Sequence, residues 1–329
     1  MSFNPNRYKS MLYRRCGRSG LRLPAISFGM WQGTGSYVDD TASRQIAHTA
    51  FDHGITHFDL ANNYGNPAGA SEELFGRILR GMPRHELVIA TKAGYAMWPG
   101  PYGEGGSRKH LIESCEQSLK RLGLDHVDIF YSHRFDADTP LDETMGALET
   151  LVRQGKAIYA GISNYADPHF TQAVDVMRER AWAPITIHQA RYSMLDRKAE
   201  KEVFPTAGRE AIGVIGFSPL AQGLLTGKYL NGIPDESRVA LGQGNGALTA
   251  DQVTPPKIAK LKSLNEIAKQ RGQSLAQLAL AWLLKDERLT SVLIGASKPE
   301  QIADCVACLS NLSFDPAELD AIEKVLGAK

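Results

Sequence analysis

Short runs of apolar and β-branched residues alternate along this chain with longer segments in which apolar residues recur every three or four positions. The short runs predict eight β-strands, at residues 25–28, 56–59, 87–91, 127–132, 157–163, 185–189, 213–217 and 291–295. The longer segments predict helices at 41–53, 110–122, 141–154 and 170–178. Thr139 and Pro140 predict a side-chain cap and a first-turn proline for the helix that begins at Leu141.

The spacing of the predicted strands indicates the fold class. Six of the seven intervals between strand starts are 28 to 40 residues long, which is enough for one strand and one crossover helix. Eight such units in the α/β class predict a parallel sheet closed as a (β/α)8 TIM barrel. An open doubly wound sheet is the competing architecture, because periodicity alone does not prove closure.

Three segments lie outside the eight units. Residues 13–23, with the turn residues Gly17 to Gly20 at their centre, predict an N-terminal β-hairpin that could plug the barrel's N-terminal mouth. A long loop rich in Gly, Pro and Asn follows the seventh strand at 218–256, and helices are predicted after it at 257–271 and 274–285. An extra C-terminal helix is predicted at about 315–327. We expect one domain over residues 1–329, with the barrel spanning about 25–310.

Composition narrows the classes of function. The 329 residues carry 37 Lys and Arg against 36 Asp and Glu, so no basic surplus indicates a nucleic-acid partner. The longest apolar-rich stretch, 275–284, is too short for the ~20 residues of a membrane span, and the first ten residues show no secretory apolar region. Four cysteines do not make a disulfide scaffold. We therefore expect a cytoplasmic protein with no membrane partner.

Polar side chains of four different kinds follow the predicted strands. Asp59, Lys92 and His133 lie at strand ends, and Tyr64 follows five residues after Asp59. In a barrel these ends meet at one mouth, where active sites form. Any single polar strand end is equally consistent with the start of an ordinary loop, but four chemistries at one mouth favour a site. A buried ammonium needs a counter-charge such as Asp59, and we expect it to lower the pKa of Tyr64, which could then act as a general acid.

These residues also carry a family resemblance. The segments 59–65, 161–164, 217–223, 225–229 and 294–297, together with Lys92 and His133, resemble the aldo-keto reductase superfamily over nearly the whole chain. Within it, 91–95 and 98–103 resemble the branch that contains the bacterial L-glyceraldehyde 3-phosphate reductases and the related potassium-channel β subunits.

The resemblance implies reduction of a small aldehyde by NADPH. Tyr64 would donate the proton, Lys92 paired with Asp59 would tune it, and His133 would hold the carbonyl oxygen. L-glyceraldehyde 3-phosphate and methylglyoxal are the implied candidate substrates. Trp31 and the loop at 95–108, which carries Trp98, are expected to line the substrate pocket, with Arg108 or Lys109 as candidates for a phosphate group. Relatives imply a homo-oligomer, a tetramer or an octamer.

The cofactor site is predicted from the same resemblance, because no glycine-rich dinucleotide fingerprint opens a helix after a strand. The nicotinamide amide would be held by Ser163, Asn164 and Gln189. A helix start after the last strand, with a serine cap, suits a 2′-phosphate and hence NADPH. The remaining implied contacts are Trp31, Asp59, Phe217 as a stacking face, Ser218, Leu220 and Gln222 along the pyrophosphate, Lys228 and Arg238 on phosphates, and Gly295, Ser297 and Gln301. Cys305 departs from the asparagine that relatives usually carry near the adenine.

Two further hypotheses stay open. His57, Asp59, His133 and His188 could form a metal site of a barrel hydrolase, although the matching strand ends do not complete a ligand set. We expect no metal, since Cys305 and Cys308 also lack a second cysteine pair. The other hypothesis is a nicotinamide-binding regulatory subunit of the channel-β type.

Overall fold

Eight parallel strands close into a barrel in the computed structural model, which describes residues 3–243 and 247–327. The strands are β1 (Tyr13–Arg15), β2 (Arg22–Pro24), β3 (Ile26–Gly29), β4 (His57–Asp59), β5 (Val88–Ala93), β6 (Val127–Ser132), β7 (Ala157–Ser163), β8 (Ile185–Arg191), β9 (Gly213–Phe217) and β10 (Leu289–Ile294). The barrel order is β10-β3-β4-β5-β6-β7-β8-β9. This confirms the (β/α)8 prediction over the open sheet.

Helices separate the barrel strands. They are α1 (Asp40–Asp52), α2 (Ala70–Leu79), α3 (Arg108–Leu122), α4 (Leu141–Arg153), α5 (His169–Glu179), α6 (Ala199–Glu202), α7 (Phe204–Glu210), α8 (Pro255–Gln270), α9 (Leu275–Leu284), α10 (Pro299–Ala307) and α11 (Pro316–Leu326). The sequence did not predict α2, α6 or α7. The C-terminal helix α11 is confirmed, and Asp315 caps it by accepting from the Glu318 N–H at 2.7 Å.

The predicted side-chain cap of α4 is wrong. The Thr139 hydroxyl donates to the Asp136 carboxylate at 2.7 Å, and no side chain caps the helix. Asp136 attracts the hydroxyl because its carboxylate is the stronger acceptor. The helix still begins at Leu141, directly after Pro140.

The two-residue period of a strand decides what faces the barrel interior. In β4, Phe58 packs on Phe75 of α2 with ring centroids 5.0 Å apart, which places it outside the barrel wall. His57 and Asp59, on either side of it, therefore face inward. Asp59 thus sits at the mouth and His57 one layer below.

The N-terminal hairpin closes the other end of the barrel. β1 and β2 pair antiparallel, and Cys16, Leu21 and Leu23 are buried against a cluster that includes Ile129 and Ile187. The Arg18 N–H donates to the carbonyl of Ala211, just before β9 begins. The hairpin therefore plugs the N-terminal mouth, as predicted.

The loop after β9 is long, as expected, and contains short 3-10 turns at Ala221–Thr226 and Ala250–Gln252. Across the described ranges, no helix is both long and apolar enough to cross a bilayer.

Candidate active site

An ion pair lies buried at the C-terminal mouth of the barrel. Lys92 Nζ of β5 is 2.5 Å from Asp59 Oδ2 at the end of β4, and the two side chains are 0% and 1% exposed. The same ammonium donates to the carbonyl of Leu60 at 2.5 Å and to the hydroxyl oxygen of Tyr64 at 3.3 Å. Each of its three hydrogens therefore has an acceptor, which is what a charged ammonium requires when it is removed from water.

The Asp59 carboxylate is held from a second side. Gln189 Nε2, on β8, donates to Asp59 Oδ1 at 3.0 Å, so both carboxylate oxygens accept a hydrogen bond. Burial raises the pKa of Asp59, and the charge and hydrogen bond of Lys92 oppose that rise. Burial likewise lowers the pKa of Lys92, against the opposing charge of Asp59. Asp59 and Lys92 therefore each stabilise the charged form of the other.

Tyr64 presents its hydroxyl to this pair, but the expected lowering of its pKa is wrong. Burial raises the pKa of Tyr64 well above its usual value, and the negative charge of Asp59 acts in the same direction. The physical reason is that Asp59 neutralises Lys92 at close range, so the cation cannot outweigh desolvation of the phenolate. Tyr64 therefore stays protonated at neutral pH. Its oxygen accepts from Lys92, and among the described residues its own O–H donates to none.

His133 completes a tetrad that consists of Asp59, Tyr64, Lys92 and His133. It follows β6, and its ring centroid lies 5.9 Å from that of Tyr64. Burial and the charges of Lys92 and Arg134 hold the pKa of His133 well below its usual value, so the imidazole is neutral at physiological pH. Asn164 Nδ2 donates to the His133 carbonyl at 3.0 Å and fixes the backbone there. The imidazole can thus donate one hydrogen bond without carrying charge.

The two tryptophans predicted at the pocket have different surroundings. The Trp31 ring centroid lies 6.2 Å from that of Tyr64, at the mouth. Trp98 lies against His110, with centroids 5.2 Å apart, and lines a separate surface cavity of about 450 Å³ with Tyr102 and Lys109. No contact with the tetrad is seen for Trp98 in the described part of the chain.

Arg108 also points away from the mouth. Its guanidinium donates to the Gly146 carbonyl at 3.1 Å and to Thr150 Oγ1 at 3.0 Å, both on α4. Lys109 lies over the ring of Tyr102 at 5.3 Å. The structure therefore brings neither of the two phosphate candidates to the tetrad.

Several residues predicted to hold the cofactor form two hydrogen-bonded groups, one after β7 and one after β9. Asn164 Nδ2 donates to Ser163 Oγ at 3.1 Å. Gln222 Nε2 donates to Ser218 Oγ at 2.7 Å, and Arg238 Nη2 donates to the Gln222 carbonyl at 3.0 Å. Within the loop that follows β9, the Arg238 guanidinium thus lies against the turn that contains Gln222.

The backbone at these positions is unusual. Asn164, Ser218 and Gln222 have φ values of 57°, 54° and 60°. Residues other than glycine rarely adopt this left-handed conformation, and it clusters at ligand clamps. Asn164 lies in the loop after β7, and Ser218 and Gln222 lie in the loop after β9, so the strain fits two loops shaped around a bound group. Phe217 and Leu220 are half-buried beside the loop after β9, whereas Lys228 is exposed.

The predicted serine cap of the last barrel helix is wrong. α10 begins at Pro299, and Lys298, not Ser297, occupies the cap position. The Gln301 side-chain oxygen instead accepts the backbone N–H groups of Ser297, at 2.8 Å, and Lys298, at 3.2 Å. Gly295 precedes this turn. The Gln301 side chain thereby satisfies two backbone N–H groups at the start of the helix, where no carbonyl of the preceding turn is available.

The side chains of the metal-hydrolase hypothesis do not come together around one point. His57 Nδ1 lies 2.9 Å from Ser27 Oγ, inside the barrel. His188 instead packs on Phe170 of α5, with centroids 4.6 Å apart, and its Nε2 is 2.8 Å from the Tyr165 carbonyl oxygen. Within 3–243 and 247–327, no three His, Cys, Asp or Glu side chains are placed to hold a metal ion. Cys305 and Cys308 are free and buried in the core.

Two residues at the mouth were not singled out from the sequence. The Tyr95 ring meets His133 edge-on at 4.6 Å, and the Arg134 guanidinium carbon lies 5.0 Å from the centre of the Tyr95 ring. Their signal was position: Arg134 directly follows His133, and Tyr95 comes three residues after Lys92.

Comparison with known proteins agrees with this geometry. The model of the aldo/keto reductase family matches residues 25–326. The chain belongs to this family. It is 54% identical over 328 residues to L-glyceraldehyde 3-phosphate reductase of Escherichia coli (strain K12), covering 98% of this chain and 94% of that protein.

A second group of relatives is more distant. The chain is 37% identical over 324 residues to a probable voltage-gated potassium channel subunit beta of Arabidopsis thaliana, covering 97% of this chain and 98% of that protein. The corresponding protein of Oryza sativa subsp. japonica is 36% identical over 324 residues. The resemblance drawn from the motifs is thereby confirmed, and this aldo/keto reductase is an oxidoreductase.

Proposed function

We propose that this aldo/keto reductase uses NADPH to reduce small aldehydes to alcohols, with Tyr64 as the proton donor. L-glyceraldehyde 3-phosphate and methylglyoxal are the candidate substrates. One observation carries the proposal: Lys92 Nζ donates at once to Asp59 and to the Tyr64 oxygen, which leaves the phenol hydrogen free to donate. The first substrate is supported by the name of the E. coli relative.

The side chains act on the carbonyl oxygen. Because the pKa of Tyr64 is raised, the phenol carries its proton at neutral pH and can transfer it as negative charge develops on that oxygen. Lys92 stabilises the phenolate that remains, since its Nζ already donates to the same oxygen. His133, held neutral, donates a hydrogen bond that orients the carbonyl. Such preorganised donors usually supply a large part of the rate enhancement.

NADPH, when bound, supplies the hydride that reduces the carbonyl carbon. The strained backbone of the loop after β9 and the Arg238 guanidinium within that loop support this cofactor. We propose that Ser163, Asn164 and Gln189 hold the nicotinamide amide and that Phe217 stacks on the ring. The other proposed contacts are Trp31, Asp59, Ser218, Leu220, Gln222, Lys228 and Arg238, with Gly295, Ser297 and Gln301 toward the 2′-phosphate. We further propose a cytoplasmic homo-oligomer and Trp31 as a substrate contact, whereas Trp98 lies at the separate cavity.

Replacing Tyr64 with phenylalanine tests the proton donor. NADPH oxidation with methylglyoxal should fall about 10²- to 10⁴-fold, the range that general acid catalysis supplies. NADPH binding, followed by fluorescence, should be retained. Tyr102→Phe is the matched control, because Tyr102 lies 52% exposed at the separate cavity, and it should leave turnover unchanged. Equal turnover in Tyr64→Phe and the wild type would exclude Tyr64 as the donor.

The relatives named as channel subunits favour a second candidate, a nicotinamide-binding regulatory subunit. Tight NADPH binding without reduction of any aldehyde would support it. The hydrolase hypothesis predicts activity that a chelator abolishes, whereas the reductase should be insensitive to chelators.

A further inference from the structure

A half-buried cation lies beside the tetrad. Arg134 directly follows His133, and its positive charge is one of the two that act on that imidazole, the other being Lys92. Lys92 is fully buried and already has three acceptors, so it cannot serve a second anion. Arg134 has no part in the proton transfer proposed above, and none of the segments that carry the family resemblance includes it.

The Arg134 side chain is held in a defined position. Its Nε donates to the Gly94 carbonyl at 3.0 Å, and its guanidinium carbon lies 5.0 Å from the centre of the Tyr95 ring. The Tyr95 ring in turn meets the His133 ring at 4.6 Å. The Arg134–Tyr95 and Tyr95–His133 contacts together place the guanidinium carbon no more than about 10 Å from the centre of the His133 ring. The cation is therefore preorganised on the rim of the mouth.

The remaining donors of Arg134 are available to an anion. Nη2 pairs with Glu104 at 3.1 Å, and the two side chains are 37% and 59% exposed. Such an exposed pair contributes little to stability, so a ligand anion can replace the carboxylate. Nη1 makes no hydrogen bond to any described residue. Once Glu104 is displaced, the edge formed by Nη1 and Nη2 is suited to bidentate binding of a phosphate.

We propose that Arg134 binds the phosphate group of a phosphorylated short-chain aldehyde whose carbonyl oxygen lies at Tyr64 and His133. The proposal rests on the proposed aldehyde reduction and names the feature that selects the substrate. In a three-carbon aldehyde phosphate, four bonds separate the carbonyl carbon from phosphorus, a span of roughly 5 Å. A molecule of this length, with its carbonyl oxygen at the His133 imidazole, extends toward the Arg134 guanidinium. Arg108 and Lys109 face other surfaces, as described above.

The test compares two substrates that differ only in the phosphate. We expect wild-type protein with NADPH to reduce glyceraldehyde 3-phosphate with a higher kcat/KM than glyceraldehyde. Arg134→Gln should lower kcat/KM for the phosphorylated substrate about 10- to 100-fold, the loss expected for a hydrogen bond to a charged group, and change that for glyceraldehyde less than about 3-fold. Lys109→Gln removes an equal charge at the separate cavity and should change neither. Glu104→Gln should favour the phosphorylated substrate further, because it removes the competing carboxylate.

A second readout does not depend on turnover. Calorimetric titration with glycerol 3-phosphate, in the presence of NADP⁺, should show binding to the wild type and to Lys109→Gln and much weaker binding to Arg134→Gln. An equal kcat/KM loss for both aldehydes would overturn the proposal, since Arg134 would then act by positioning His133. Unchanged binding and turnover in Arg134→Gln would overturn it as well. Failure of the wild type to reduce either aldehyde contradicts the proposed function alone, because the titration still decides whether Arg134 binds phosphate.

Discussion

Replacing Lys92 with methionine should separate the stabilising role of the buried ion pair from its catalytic role. The substitution keeps the length of the side chain but leaves the Asp59 carboxylate buried with one hydrogen bond, from Gln189. At 2.5 Å the attraction in the pair is about 7 kcal/mol for an effective dielectric constant of about 20. Desolvation of both charges offsets part of this, so we expect Lys92→Met to lower the free energy of unfolding by about 3–5 kcal/mol, as for other buried pairs that lose one partner.

The double variant Asp59→Asn/Lys92→Met is the matched control. It contains no buried charge at this place, so its free energy of unfolding should return to within about 2 kcal/mol of the wild type. Turnover should not return, because neither variant can stabilise the Tyr64 phenolate. Urea denaturation measures the first quantity, and NADPH oxidation with methylglyoxal measures the second.

The pH dependence of the single variant gives an additional test. Without Lys92, burial raises the pKa of Asp59 in the folded state above the unfolded value, opposed only by the hydrogen bond from Gln189. A raised carboxyl pKa makes the folded protein bind more protons than the unfolded chain, so stability should fall as pH rises from about 4 through the folded pKa. A Lys92→Met protein that is as stable as the wild type, or that retains wild-type turnover, would refute this account of the site.

Two further predictions concern stability. Burial lowers the pKa of His57 to about 3 and that of His188 to about 4, so the unfolded chain takes up protons below pH 6.5 that the folded protein does not. Each histidine should therefore lower the free energy of unfolding by about 2 kcal/mol between pH 7 and pH 5. In urea denaturation at the two pH values, the decrease should be smaller by about 2 kcal/mol for His188→Gln than for the wild type. A Cβ at Gly213 would lie 2.3 Å from Cys16 Sγ, whereas one at Gly216 on the same strand would have its nearest neighbour at 3.5 Å. Gly213→Ala should thus cost roughly 1–3 kcal/mol and Gly216→Ala clearly less, and equal melting temperatures would contradict the close fit of the hairpin.

The strands of this fold could be predicted because buried parallel strands appear in the sequence as short apolar runs. All eight barrel strands lie within about two residues of their predicted ends, a scatter typical of element boundaries. Helix α2 was missed for a physical reason. Its buried face includes Glu72, whose carboxylate is fully buried and paired with Arg121 Nε at 2.7 Å. A hydrophobic pattern scores such a position as exposed. α7 has only seven residues, including a proline and a glycine, too few to show a period.

The tetrad could be predicted from the sequence because the topology of a parallel barrel brings strand ends together wherever they lie along the chain. The direction of the Tyr64 pKa could not, since it depends on how closely Asp59 neutralises Lys92 and on how much water the phenol loses. Arg134 was missed because a basic residue at a strand end resembles any solvated loop charge. Its contacts with Gly94 and Tyr95 exist only in three dimensions.

The N-terminal hairpin and the Lys92–Asp59 ion pair lie at opposite ends of the barrel interior. Leu21 and Leu23 of the hairpin region belong to an apolar cluster that also contains Tyr131, and the centre of the Tyr131 ring lies 5.9 Å from Lys92 Nζ. The packing below the pair therefore continues from the plug to the tetrad and keeps water away from that side. Low local polarity strengthens the attraction between Lys92 and Asp59 and, by the same cause, raises the pKa of Tyr64. A phenol that holds its proton until a carbonyl oxygen becomes more basic is thus a consequence of how the far end of the barrel is closed.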